Sequence, residues 1–135
     1  MNREILFRGK RLDNDEWAEG FYVHIPCGRF LCDEYMIQTV EDDGRIGHLH
    51  NVYEYTVGQF TGLTDKNGKR IFEGDMVVSY SLFGHEDGCG IVNWNNLFSA
   101  WHIGERTFYG TSIASYEIIG NIHDNPELLE ANHAK

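Results

Sequence analysis

Glu73-Gly74-Asp75-Met76-Val77-Val78-Ser79-Tyr80, a Gly-rich passage from Leu82 to Gly90, then Ile91-Val92-Asn93-Trp94, Asn95-Asn96 and Leu97 to Ile103 follow one another in the second half of the chain. Apolar and β-branched residues recur there in short runs bounded by Gly, Asn and Asp, which is the pattern of strands joined by turns. The stretch predicts three strands, a long Gly-rich loop between the first two and a tight Asn-Asn turn between the last two. Such a meander, SH3-like in its spacing, must curve to bury one face in so short a chain.

Upstream, Ile5 to Phe7 is a short apolar run before the polar turn Arg11-Leu12-Asp13-Asn14-Asp15, whose side chains can bond their own backbone. Trp17 to Ile25 reads as a strand, Pro26 to Arg29 as a turn and Phe30 to Cys32 as the return of a hairpin. Tyr35 to Val40 predicts a further strand, closed by the turn Glu41-Asp42-Asp43-Gly44. Val52, Tyr55, Val57 and Phe60 continue the apolar pattern into the strong turn signal Asp65-Lys66-Asn67-Gly68-Lys69. Downstream, Tyr116 to Ile122 predicts the last strand. Asn125-Pro126-Glu127 then has a helix-cap residue, a proline at the first helical position and an early acid, so a short C-terminal helix is expected.

No repeat, linker or sustained 3.6-residue periodicity interrupts the chain, so one domain over residues 1–135 is expected. The predicted class is mostly β, a small barrel or strongly curved antiparallel sheet. The alternative is α+β, with one mid-chain helix around Leu49 to Tyr55.

The chain has 135 residues, and its 11 Lys and Arg against 21 Asp and Glu leave a net charge of −10. That field repels phosphate backbones and anionic lipid, which disfavours direct nucleic-acid binding. Arg3 to Arg11 and Lys66 to Arg70 hold much of the positive charge. No apolar run is long enough to span a membrane and the first residues do not resemble a signal, so a cytoplasmic location is expected. Cys27, Cys32 and Cys89 are few and odd in number, which suits a reducing compartment better than a disulfide framework.

The residues that could carry chemistry are sparse. His48 and His50 would share one side of a strand, and with His24, Cys27 or Cys32 they could begin a metal site. No CxxC or HExxH element supports that reading, and solvated histidines are the simpler one. Cys27 and Cys32 bracket a turn and could pair if oxidised, or remain small apolar residues. Cys89 in Gly88-Cys89-Gly90 would sit on a loop with His85 nearby, which falls short of a nucleophile and its base. Trp17, Trp94 and Trp101 could line a groove or stack on bases, but a small β core needs large aromatics to fill it. The glycines of residues 84–90 lack the GK[ST] of a phosphate loop. Acidic groups at Asp13-Asp15-Glu16, Glu41-Asp42-Asp43 and Glu86-Asp87 could imitate phosphates or simply aid solubility. No catalytic group and no cofactor is implied.

Three blocks resemble one family. Phe7-Arg8-Gly9-Lys10, then Phe60-Thr61-Gly62-Leu63-Thr64-Asp65-Lys66-Asn67-Gly68-Lys69-Arg70-Ile71-Phe72-Glu73-Gly74-Asp75, and finally Glu117 to Leu129 with Ile119-Gly120-Asn121-Ile122 and Asn125-Pro126-Glu127-Leu128 follow in order over about residues 3 to 129. The chain is similar in these to the YopX-like family of bacteriophage and prophage proteins. The resemblance implies a small β-rich protein in a phage setting and carries over no catalytic residue; residues 24–50 and 81–112 match none of its motifs. Gly62, Asp65, Asn67, Gly68, Gly74, Asp75, Gly120, Asn121, Asn125 and Pro126 read physically as fold punctuation. Together these features predict a non-enzymatic accessory protein that binds a host or phage protein, or a second copy of itself through an open strand edge. The alternatives are a metal-binding protein or metal-dependent enzyme built on His48 and His50, and an acidic mimic of nucleic acid.

Overall fold

A computed structural model of the chain describes residues 4–27, 32–81, 83–107 and 115–129. Its elements are almost all strands: β1 (Phe7–Lys10), β2 (Trp17–Ile25), β3 (Glu34–Val40), β4 (Ile46–Asn51), β5 (Gly58–Thr64), β6 (Arg70–Phe72), β7 (Asp75–Tyr80), β8 (Glu86–Asn95), β9 (Ala100–Ile103), β10 (Arg106–Thr107) and β11 (Ser115–Asn121). They form two sheets, ordered β4-β3-β2-β1-β5-β6 and β10-β9-β8-β7-β11. The chain divides into two compact units, Met1–Phe60 and Thr61–Lys135, with the boundary inside β5.

In the first unit, β1 to β4 follow from alternation and from local turns. β2 and β3 pair from Gly20↔Thr39 to Ile25↔Glu34 without a slip, and β1 lies against both β2 and β5. Ala18, Ile37 and Val52 form the buried centre, with Phe7, Tyr22, Tyr35 and Val57 packed around them. Gly9 is required by this packing, because a Cβ there would meet the Val52 side chain at 3.0 Å.

In the second unit, β7 lies between β8 and β11. β8 pairs with one of its edges and β11 with the other, and β9 continues beyond β8. The core is Ile71, Val77, Val92, Ile103 and Tyr116, with Leu63, Trp101 and Ile118 against it. Fully burying a side chain of this size stabilises by about 1.5–3 kcal/mol, so a few such residues hold a small sheet.

Several expectations need correction. Among the described residues both sheets are open, and no closed barrel forms. The first sheet runs from β4 to β6 and the second from β10 to β11, with no pairing between the end strands of either among the described residues. No mid-chain helix exists at residues 49–55. Leu49 to Asn51 belong to β4, because the Val52 N–H donates to the Tyr35 carbonyl and the Leu12 N–H to the Asn51 carbonyl; only a 3-10 turn at Glu54–Thr56 follows. Cross-strand bonding there overrides any helical preference.

The Gly-rich passage is largely strand, since β8 begins at Glu86. Gly88 lies beneath the Arg106 guanidinium, and a Cβ on Gly90 would meet the Ile103 side chain at 2.9 Å, so these glycines permit close approach within a sheet. The strand expected from Leu97 starts at Ala100, because the Asn95 side chain accepts the Phe98 N–H and extends the turn. β3 starts at Glu34; of the turn expected at Pro26 to Arg29 and the return expected at Phe30 to Cys32, residues 28–31 lie outside the described residues. Among the described residues the C-terminal helix is limited to residues 127–129.

Candidate functional site

Within the second unit, the signature residues meet around two carboxylates. Asp65 is 6% exposed. Its Oδ1 accepts the N–H groups of Asn67 and Lys69 at 2.9 Å, and its Oδ2 accepts the Ile118 N–H at 3.2 Å. Burial alone would raise this carboxyl. The Lys69, Ile118 and Asn67 N–H groups outweigh it and hold the pKa below the usual carboxylate range. Asp75 is 1% exposed, and its Oδ2 accepts the Phe72 N–H across the turn between β6 and β7.

Gly62, Gly68 and Gly74 have φ of 90°, 84° and 92°, a left-handed backbone that favours glycine. At the end of β11, Asn121 Oδ1 accepts the His123 and Asp124 N–H groups, and Asn125 Oδ1 accepts the Asn121 N–H. Asn125 thus ties the helix start back to the strand, with Pro126 next in line. These contacts stitch turns to strands. Asp65, Asp75 and Asn121, which anchor them, are buried.

In the first unit, His48 and His50 do share one side of β4, with ring centroids 6.0 Å apart. His50 lines a recess of about 230 Å³ with Leu12, Asp13, Leu49 and Asn51. Burial lowers its pKa, and the Arg11 guanidinium lowers it further. Arg11 is engaged by Asp13 through a two-pronged ion pair at 2.9 and 2.6 Å. Asp13 is correspondingly held below the carboxylate range. Among the described residues no group of three or more His, Cys, Asp or Glu is placed to hold a metal ion.

His24, Cys27 and Cys32 collect instead at the far end of the β2–β3 hairpin, around a residue that sequence reading passed over. Asp33 Oδ1 accepts the Cys27 N–H at 2.9 Å, while Oδ2 faces His24 Nε2 at 3.1 Å and accepts the Tyr35 hydroxyl at 3.3 Å. The Cys27 N–H, with His24 second, lowers the Asp33 pKa. His24 stacks on Tyr35 with centroids 4.5 Å apart. An isolated aspartate after a cysteine carries no signal in sequence, which is why Asp33 was missed.

The aromatic side chains of β8 and β9 divide between core and surface. Trp94 and Trp101 are directly opposite, edge to face at 5.2 Å; Trp101 packs on the core while Trp94 is exposed. On the other face His102 is 3% exposed, with neither ring nitrogen hydrogen-bonded, and Phe98 stacks over it at 5.7 Å. The turn itself leaves Leu97 84% and Phe98 67% exposed. Trp17 serves differently, lying under the Arg8 guanidinium at 4.5 Å. Cys89 is on β8 opposite Val78 rather than on a loop, while His85 is in the turn before the strand. Each acidic group contains a carboxylate already paired with arginine: Arg11–Asp13, Arg45–Asp43 and Arg106–Asp87.

A family model described as YopX protein matches residues 6–130, nearly the whole chain. The chain belongs to the YopX protein family. Among solved structures, this YopX-family chain is similar to protein EF1440 from Enterococcus faecalis, with 26% sequence identity and a TM-score of 0.58; the match covers 95% of this chain and 99% of that one. A comparison with curated proteins finds no match. No helix among the described residues is long and apolar enough to cross a membrane.

Proposed function

We propose that this YopX-family chain is a non-enzymatic protein-interaction module of phage or prophage origin, acting in the bacterial cytoplasm by binding a host or phage protein. The observation that carries the reading is the β8–β9 turn, where Leu97 and Phe98 stand 84% and 67% exposed beside the exposed Trp94. Large apolar side chains grouped at a turn are the kind of anchor a partner's pocket covers, each contributing about 1.5–3 kcal/mol when buried. The net charge of −10 favours a partner with a neutral or basic face. The phage setting comes from the family resemblance.

The test is affinity capture of the tagged protein from its bacterial host during phage growth, with mass spectrometry of what copurifies. A stoichiometric partner retained by the natural sequence and lost at least tenfold with Leu97→Ser or Phe98→Ser supports the reading. A partner indifferent to both substitutions places the contact elsewhere, and no partner at all removes the reading. A second copy of the chain is among the partners proposed, and light scattering of the purified protein separates self-association from capture of another protein.

A further inference from the structure

Cys27 and Cys32 are both exposed, and neither is in a disulfide. The β2–β3 ladder runs in constant register up to Ile25↔Glu34. The ladder ends there, and the same register carried two steps further would set Cys27 against Cys32. The chain turns at Cys27, whose φ of 49° lies in the left-handed region, but Asp33 Oδ1 accepts the Cys27 N–H at 2.9 Å and so holds the two sides of the hairpin together at this point. That bond sets Cys27 beside the residue next to Cys32, and a disulfide needs Cα atoms about 4.4–6.8 Å apart.

We infer that Cys27 and Cys32 form a thiol–disulfide site at the end of the β2–β3 hairpin. The oxidant is a small-molecule disulfide such as oxidised glutathione. One cysteine thiolate attacks a sulfur of that disulfide, and one glutathione thiol leaves. The second cysteine attacks the protein-bound sulfur of the mixed disulfide and releases the other glutathione. Two protein thiols are oxidised to one disulfide, and the two electrons and two protons end on two glutathione thiols. Formation closes a short ring across a hairpin end that Asp33 already pins through His24 and Tyr35. Cys89, in β8, lies outside the site.

Sequence supplies a direct assay, because Arg29 separates the two cysteines. The full-length protein is reduced, treated with oxidised glutathione, blocked with an alkylating reagent and digested with trypsin. The expected result is a single linked species joining the Cys27 and Cys32 peptides, lighter by two hydrogens than their sum, with Cys89 alkylated. It should vanish on reduction and in both Cys27→Ser and Cys32→Ser, while a non-reducing gel shows no covalent dimer. Stable glutathione adducts on either cysteine, full alkylation of both after oxidation, a link to Cys89, or a disulfide-bonded dimer would each overturn the inference.

Discussion

Three backbone N–H groups converge on Asp65, two from its own turn and one from β11, fifty-three positions along the chain. Deleting the carboxylate leaves buried donors unsatisfied, at about 1–3 kcal/mol each before relaxation. Asp65→Ala is therefore expected to lower stability by roughly 2–4 kcal/mol in urea unfolding, and Asp65→Asn by less, since the amide keeps one acceptor oxygen. Because the folded pKa of Asp65 is depressed, its contribution is present above the ordinary carboxylate range and is lost as pH falls through the folded value. The difference in stability between the natural protein and Asp65→Asn should shrink with acidification. A constant gap would mean the charge contributes nothing.

His50 has the opposite chemistry at the same scale. Its folded pKa is lowered chiefly by burial, so the folded protein binds fewer protons there than the unfolded chain. The penalty is absent above the ordinary imidazole range and grows as pH drops through it towards the lower folded value. His50→Gln should flatten that part of the stability–pH curve, measured as unfolding midpoint against pH. An unchanged slope would show that the recess does not control the residue's titration.

Elements were legible where the signal is local. The Asp65-Lys66-Asn67-Gly68-Lys69 turn, the strand from Met76 and the last strand near Tyr116 could all be read, because side-chain alternation and positive-φ turn residues act within a few positions. The start of β8 could not. Gly88 and Gly90 have the look of a loop, and only Arg106 and Ile103 from other strands explain why they lie in a sheet. Gly120 tests the same idea. A Cβ there would lie 2.7 Å from Asn125 Oδ1 and 2.8 Å from Leu128 Cδ1, so Gly120→Ala must push the helix start off β11. Overpacking of this kind costs about 1–3 kcal/mol, and thermal unfolding should show a loss of that order. A neutral result would mean that the segment after Asn121 packs too loosely to matter.

At the scale of the whole molecule, the chain boundary between the two compact units falls inside one strand, β5. A chain of about 60 residues buries only about 60% of its unfolded surface and is marginal alone. We therefore expect one cooperative calorimetric transition for residues 1–135, and two resolved transitions would show that the units unfold independently. The β-rich character, the main turns, the acidic charge and the family are all legible in the chain alone, since each depends on composition or on spacing over a few residues. Only long-range packing sets the open sheets among the described residues, the return of β11 to β7, the meeting of His24 and the Cys27 N–H at Asp33, and the cover of a buried His102 by Phe98. Strand pairing is chosen by contacts between positions far apart in the chain, and no local pattern encodes which distant edge a strand will meet.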